Sequence, residues 1–321
     1  MIGIIEQGER SCCAKSPPHR ESLGEVEKAW ASDRRSGDAQ GGATHIPGGR
    51  AEVGTDNPIL PKDGETPRRY VPVKPFAIDV TTVTNERFAA FVRDTGYVTD
   101  AERIGWSFVF HQHLGPNAVQ YQGAKGAEWW RCVDGAFWAE PEGPDSNISE
   151  RADHPVVHIS HVDASRFAAW CGGRLPSEVE WEHAARGGLA GAEFPWGDRE
   201  PDDLTFLPCN IWQGDFPSSN TCADGYASTA PARSFAPNGY GLYNCSGNVW
   251  EWCANAYRIS SLKQAAQSTN TIALRDGWRV LKGGSFLCHR SYCYRYRIAA
   301  RTGNAPDTST THIGFRVAYD L

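Results

Sequence analysis

The chain has 321 residues, enough for one large domain or two ordinary ones, and 40% of them are hydrophobic, enough to build a core. Gly (33) and Pro (20) are frequent, which predicts much loop and short regular structure. The formal net charge of −6 argues against nucleic acid, which needs a basic surface. No stretch of about 18 apolar residues predicts a transmembrane helix. Ten cysteines are too few for a disulfide scaffold at this length. The opening Met1-Ile2-Gly3-Ile4-Ile5-Glu6 lacks the basic and apolar regions of a signal peptide, so the expected location is the cytoplasm, where thiols stay reduced. The cysteines are then buried apolar groups, metal ligands or catalytic thiols before they are disulfides.

Residues 1–44 are polar, carry both signs of charge and scatter Gly, Ser and Pro, and are read as a disordered or loosely attached tail that includes Cys12 and Cys13. The globular part is expected from about residue 45 to 321. Phe76, Ile78 and Val80 alternate as a strand does, and a helix follows, capped by Thr84, with Phe88, Phe91 and Val92 on one face and Gly96 at its end. A second helix has Ser160 as cap and Asp163 at the reciprocal position. Its Arg166-Phe167-Ala168-Ala169-Trp170 matches Arg87-Phe88-Ala89-Ala90-Phe91 of the first. Ser177 and Glu180 form a capping box for a third helix, which stops at Gly187-Gly188. From Phe194 to Trp252 there is little periodicity, and a loop that long is functional or tied down. Val280-Leu281-Lys282 leads into Gly283-Gly284-Ser285. Tyr294–Ala299 alternates as a strand, and Ile313–Val317 reads as a closing strand. With no linker after residue 45, the fold class is a single α+β domain.

Three constellations could carry chemistry. In the first, Cys288 and Cys293 lie five residues apart and can meet across a short loop, beside the basic groups His289, Arg290, Arg295 and Arg297. Positive charge favours thiolates, and thiolates suit Cu(I) or Zn. Spacing alone leaves two buried cysteines or an incidental disulfide as the plainer reading. In the second, His154, His158 and His161 would bind a metal at helical spacing, but Pro155 and the Val156-Val157-x-Ile159 run favour a strand that separates them. In the third, Asn210, Asp215, Asp224, Asn244 and Glu251 supply the oxygen ligands that Ca²⁺ uses, or ordinary Asx turns.

The segment Gly283-Gly284-Ser285-Phe286-Leu287-Cys288-His289-Arg290-Ser291-Tyr292-Cys293-Tyr294-Arg295-Tyr296-Arg297-Ile298-Ala299-Ala300-Arg301 closely resembles the active-site segment of the formylglycine-generating enzymes, the sulfatase-modifying factors. Asn210-Ile211-Trp212-Gln213-Gly214-Asp215-Phe216-Pro217, Asn238–Asn244, Gly247-Asn248-Val249-Trp250-Glu251-Trp252, Arg174–Glu182 and Gly143-Pro144-Asp145-Ser146 resemble the same family, so the likeness runs from about 45 to 321. It implies a compact C-type-lectin-like fold with low regular secondary structure. It implies a monomeric oxidase that uses O₂ to convert the cysteine of Cys-x-Pro-x-Arg, in an unfolded or nascent sulfatase, to Cα-formylglycine. Carried over by position, Cys288 and Cys293 bind Cu(I), and Ser285 and Trp250 line the catalytic site. One structural Ca²⁺ takes Asn210, the Ile211 carbonyl, Asp224 and the Tyr226 carbonyl; another takes Asn244, Glu251 and the carbonyls of Gly247 and Val249. Trp129, Trp130, Ala101 and Trp106 bind substrate, the tryptophan pair serving as a wall for its Pro, with buried core as the other reading of that pair.

The chain also departs from the family pattern. Ile298 stands where many eukaryotic relatives carry a disulfide cysteine, and Thr82 and Trp106 stand where some carry acids that pair with the substrate Arg. Asp100 and Glu102 are nearby acids that could replace them. Two rival readings remain open. A non-catalytic binding module is disfavoured by the presence of both cysteines, and a metal-free thiol–disulfide enzyme is separable by copper chelation. A sulfoxide synthase of related type needs a His-rich helical domain for which this chain has no room.

Overall fold

A computed structural model describes residues 42–260 and 263–321. The reading of 1–44 as a loose tail, with Cys12 and Cys13, falls almost wholly outside the described residues. In chain order the elements are β1 (Ala43–Ile46), β2 (Gly49–Val53), β3 (Arg69–Val73), β4 (Phe76–Asp79), α1 (Asn85–Thr95), α2 (Asp100–Ile104), β5 (Trp106–Phe110), β6 (Gly123–Ala124), β7 (Ala127–Asp134), α3 (His161–Trp170) and α4 (Glu178–Arg186). They continue as β8 (Gly214–Asp215), β9 (Ser219–Asn220), β10 (Trp250–Ala256), α5 (Gln264–Arg275), β11 (Arg279–Lys282), β12 (Thr302–Asn304), β13 (Ile313–Gly314) and β14 (Ala318–Asp320). Helices and small sheets mix along one chain, as the α+β reading expects. Among the described residues no helix is long and apolar enough to cross a membrane.

Local signals set the helices. Thr84 accepts from the Arg87 amide and Gly96 ends α1 at φ +65°, a left-handed conformation that favours glycine. Reciprocal capping boxes start α3 (Ser160 with Asp163) and α4 (Ser177 with Glu180). The matching pentapeptides of α1 and α3 are the faces along which the two helices meet: the Phe88 and Phe167 rings stack at 5.8 Å, and Phe91 lies 5.6 Å from both Phe167 and Trp170.

Among the described residues the strands form five small sheets. β4 lies between β1 and β14, so the start and the end of the domain share one sheet, with Phe76 and Ile78 buried beneath it. A four-stranded sheet runs β12-β11-β10-β13. In it Glu251 of β10 pairs with Lys282 of β11. That rung matters for function, because Trp250 stands just before it and Gly283-Gly284-Ser285 just after it.

Two expected strands are corrected. Tyr294–Ala299 forms no strand. Its alternation reflects side-chain anchoring: the Arg297 side chain reaches Glu65 at 2.5 Å and the Tyr294 carbonyl at 3.0 Å, and the Ile298 amide bonds the Glu193 carbonyl. Residues 154–160 also form no strand beyond a single bridge from Pro155 to Thr84. The expected closing strand, Ile313–Val317, is a strand only at β13, Ile313–Gly314; Arg316 turns inward before β14 begins at Ala318.

Candidate active site

The thiol segment begins where β11 ends. Gly283 and Gly284 take φ of +88° and +72°, and a Cβ on Gly284 would lie 3.0 Å from the Tyr296 backbone, so this turn requires glycine. Beyond it the chain folds on itself through short backbone bonds. The Cys288 amide donates to the Ser285 carbonyl (2.9 Å), and the Tyr292 and Cys293 amides both donate to the His289 carbonyl (3.0 and 2.8 Å). These turns bring Cys288 and Cys293 side by side, with Sγ atoms 2.9 Å apart. That is well beyond the roughly 2.05 Å of a disulfide bond, and neither cysteine is in a disulfide. Both are buried, at 1% and 0% exposure.

Neighbouring loops lock this turn in place. The Trp212 amide donates to the Cys288 carbonyl (3.0 Å), the Phe286 amide to the Asn248 carbonyl (2.9 Å) and the Gly247 amide to the Gly283 carbonyl (2.8 Å). Ser246 Oγ donates to the Tyr296 carbonyl (2.7 Å). At Gly247 a Cβ would sit 2.2 Å from the Asn210 carbonyl oxygen, so the approach of these two loops also depends on glycine. Trp250, Tyr296, Cys209, Ile211 and the thiol pair share one buried cluster. The Trp250 indole N–H is buried and finds no acceptor among the described residues, and Ser285 is fully buried, its hydroxyl accepting from the Leu287 amide at 3.3 Å.

Of the four basic groups expected beside the thiols, Arg295 bonds to sulfur: its Nη1 lies 3.7 Å from Cys293 Sγ. The other three face acids elsewhere. His289 sits between Asp203 (2.9 Å) and the Ser291 hydroxyl (2.7 Å), Arg290 lies 3.6 Å from Glu200, and Arg297 pairs with Glu65. Cys209 was not singled out by sequence. Burial, with smaller contributions from Asp224 and Cys288, pushes its thiol well above the usual range, so it stays protonated.

An aromatic cluster gathers around Phe286 and Leu287, just before Cys288 in the chain. Phe286, Leu287, Phe108, Phe110, Trp129, Trp130 and Trp212 form its buried part, with Trp106, Phe216 and Tyr292 packed against them. The two tryptophans expected to bind substrate belong to the same cluster but differ in their neighbours. Trp129 (8% exposed) packs edge-on against Phe216 and Tyr292 at 5.5 and 5.3 Å. Trp130 has no exposed surface and lies against Phe110 and His312, so it is core. Ala101 is buried too, whereas Trp106 is half-buried and edge-on to Phe108. Thr82 is buried, its hydroxyl without a partner. The acids that could replace the missing pair are already engaged: Asp100 accepts from Ser160 Oγ (2.5 Å) and Arg103, and Glu102 caps α2 through Thr99.

The remaining sets divide clearly. His154 bonds Thr229, His158 bonds Ser107 and the Pro141 carbonyl, and His161 opens α3, so the three histidines do not converge. Among the described residues no three His, Cys, Asp or Glu side chains group as a metal site. The oxygen-rich sets rest instead on amides and carbonyls. In the first set the Asn210 side-chain oxygen is buried without a hydrogen-bond partner, its NH₂ being held by the Ser228 carbonyl (2.8 Å) and Asn248 (3.2 Å). Asp224 beside it is raised above the usual carboxylate range by burial, as expected where a buried acid faces no cation. In the second set the Asn244 side-chain oxygen is likewise buried and unpaired. Glu251, however, is gripped by Arg316 through both oxygens (2.6 Å each), and its Oε2 also accepts from the Trp181 indole (2.7 Å). Only Oε1 keeps a lone pair in reserve.

A buried, unbridged cysteine pair in a loop-rich α+β domain places the chain in the class of formylglycine-generating-type folds. The chain belongs to the sulfatase-modifying factor enzyme 1-like domain family, whose model matches residues 31–321. It is 54% identical over 284 residues to the formylglycine-generating enzyme of Thermomonospora curvata, spanning 87% of this chain and 93% of that one. It is 48% identical to the formylglycine-generating enzyme of Mus musculus, covering 86% and 74%. It is also 45% identical to the inactive Cα-formylglycine-generating enzyme 2 of Mus musculus, covering 85% and 84%, so family membership alone does not decide activity. Among solved structures, PvdO from Pseudomonas aeruginosa superposes with a TM-score of 0.59 at 24% identity, covering 87% and 94%, a likeness of fold.

Proposed function

We propose that this chain is a formylglycine-generating oxidase that converts the cysteine of a Cys-x-Pro-x-Arg segment in an unfolded sulfatase to Cα-formylglycine. The observation that carries this reading is the pair of buried, unbridged sulfurs 2.9 Å apart in one cluster with Trp250. Two soft thiolates suit Cu(I), which accepts few ligands, better than Zn, which normally takes four. Cys288 and Cys293 would therefore hold the copper. When bound, copper supplies the redox chemistry with O₂ that side chains lack.

The chain's own residues do the rest. Trp250, in the same buried cluster as the sulfurs, and Ser285, whose carbonyl accepts from the Cys288 amide, would line the reaction site. Trp129, with Phe216 and Tyr292, offers an apolar surface to an extended peptide. Overall, the substrate CH₂–SH, O₂ and two thiol equivalents of an added reductant give the aldehyde, H₂S, water and one disulfide. The test is mass spectrometry of a Cys-x-Pro-x-Arg peptide incubated with enzyme, Cu(I), thiol reductant and O₂. The expected product has lost sulfur and two hydrogens and gained one oxygen. Since the two sulfurs could also close to a disulfide, a Cu(I)-specific chelator is the discriminating arm: conversion that survives it would overturn the copper assignment in favour of dithiol–disulfide cycling.

Substrate discrimination follows from the aromatic cluster. A charge-assisted bond from the peptide Arg to a buried carboxylate is worth roughly 1.5–3 kcal/mol, or about 10- to 150-fold. Thr82 and Trp106 carry no charge, and Asp100 and Glu102 are engaged elsewhere. An Arg→Ala peptide is therefore expected to lose no more than about tenfold in kcat/KM, and a Pro→Ala peptide at least as much. A much larger loss for Arg→Ala alone would reveal an acid that has turned to the substrate.

For calcium, the unpaired Asn210 and Asn244 oxygens support two structural sites, and the exposed part of the case is the Asp224 set. Ion binding to the native state adds stability by mass action, so EGTA is expected to lower Tm, and Asp224→Asn to lower it similarly without changing conversion. Metal analysis of the purified protein that finds no calcium would remove both sites.

A further inference from the structure

Resting on the copper reading above, we propose that Asp63 and Arg295 are positioning residues that orient the Cys293 sulfur for Cu(I), so that metal affinity depends on a carboxylate–guanidinium–sulfur relay. Asp63 lies 232 residues away from Arg295, in a short turn (Pro61–Asp63) between β2 and β3. Its backbone is fixed from three sides: its amide donates to the Leu60 carbonyl (2.9 Å), and its carbonyl accepts from Tyr257 Oη (3.1 Å) and Arg301 (3.4 Å). Its carboxylate grips Arg295 Nε at 2.7 Å, with the two side chains 9% and 11% exposed. The guanidinium then turns another edge, Nη1, to Cys293 Sγ at 3.7 Å.

The geometry requires arginine. A planar guanidinium carries donors on several edges and can face a carboxylate with one and a sulfur with another. A lysine has one nitrogen on a flexible stem and cannot hold both positions at this separation. Partners that hold a metal ligand in orientation typically govern affinity by about 10- to 100-fold. The other basic side chains of the segment are turned to Asp203, Glu200 and Glu65, so Arg295 alone among these four is arranged for the role.

The test is anaerobic competition for Cu(I) between the full chain and a colorimetric Cu(I) chelator, with thermal unfolding in parallel. Arg295→Lys keeps an ion pair for Asp63 and should retain nearly the wild-type Tm, yet bind Cu(I) at least about tenfold more weakly. Because a change at Arg295 can strand a buried acid, Asp63→Asn/Arg295→Gln removes both charges together and should show the same weakening. Wild-type affinity in both variants would overturn the relay, and so would failure of both to fold, which would make the pair structural. Wild-type protein that takes up no Cu(I) would instead overturn the copper reading itself.

Discussion

Replacing either Cys288 or Cys293 by serine is expected to abolish formylglycine formation, a loss on the order of 10³-fold or more, as when one member of a group acting as a unit is removed. A hydroxyl is close in size to a thiol but is a hard oxygen donor, poorly matched to a soft cuprous ion. One remaining thiolate leaves the metal without its second ligand, so the single variants and the double variant should be equally inactive. The fold should survive, because the turn is held by backbone bonds from Ser285, His289 and Trp212 that neither substitution touches. Retained peptide binding with lost conversion would separate the catalytic role from that of a binding module. Substantial conversion by either variant would sink the assignment of this pair as the reaction centre.

What could be read from sequence was mostly what is local. The caps at Thr84, Ser160 and Ser177 act on amides three residues away, so the letters carry the structure. Thr99 and Glu102 form a box of the same kind. The β5–β7 pairing is less legible, because residues 111–124, with helical turns and β6, separate its strands. The thiol pair was legible because five residues of separation and two turns suffice to bring the sulfurs together.

What failed was long-range. His289, Arg290 and Arg297 look like neighbours of the thiols in the sequence. Their true partners, Asp203, Glu200 and Glu65, lie 86, 90 and 232 residues away, and no spacing rule points to them. The same blindness hid Asp63, and with it the reason Arg295 differs from its neighbours. Trp129 and Trp130 share one buried cluster, and Trp130, with no exposed surface, fits the buried-core reading of the pair. Ile298 shows the converse case. Where some relatives are expected to place a disulfide cysteine, this chain buries an isoleucine fully in a second apolar cluster, so packing occupies the position.

Glu251→Gln is expected to be the most destabilising of the polar substitutions considered, and to remain so whether or not calcium is present. Glu251 and Arg316 are both at 0% exposure and meet through two bonds of 2.6 Å. Removing one partner of a buried ion pair leaves the other charged and unsolvated, a cost of about 3–5 kcal/mol. For a domain of this size that corresponds to a fall in Tm of roughly 5–8 °C. The Trp181 indole also loses its charged acceptor. Asp224 differs in kind: its carboxylate faces amides rather than a cation, and burial already disfavours its charge. Neutralising it should be nearly silent in EGTA and costly only when the ion can bind. The measurement is the Tm of wild type, Asp224→Asn and Glu251→Gln, each with calcium and with EGTA. In EGTA the first two should converge while Glu251→Gln stays several degrees lower. If Glu251→Gln also converges with wild type in EGTA, its carboxylate serves the ion and not Arg316, and the buried pair is not what holds β10 to the segment between β13 and β14.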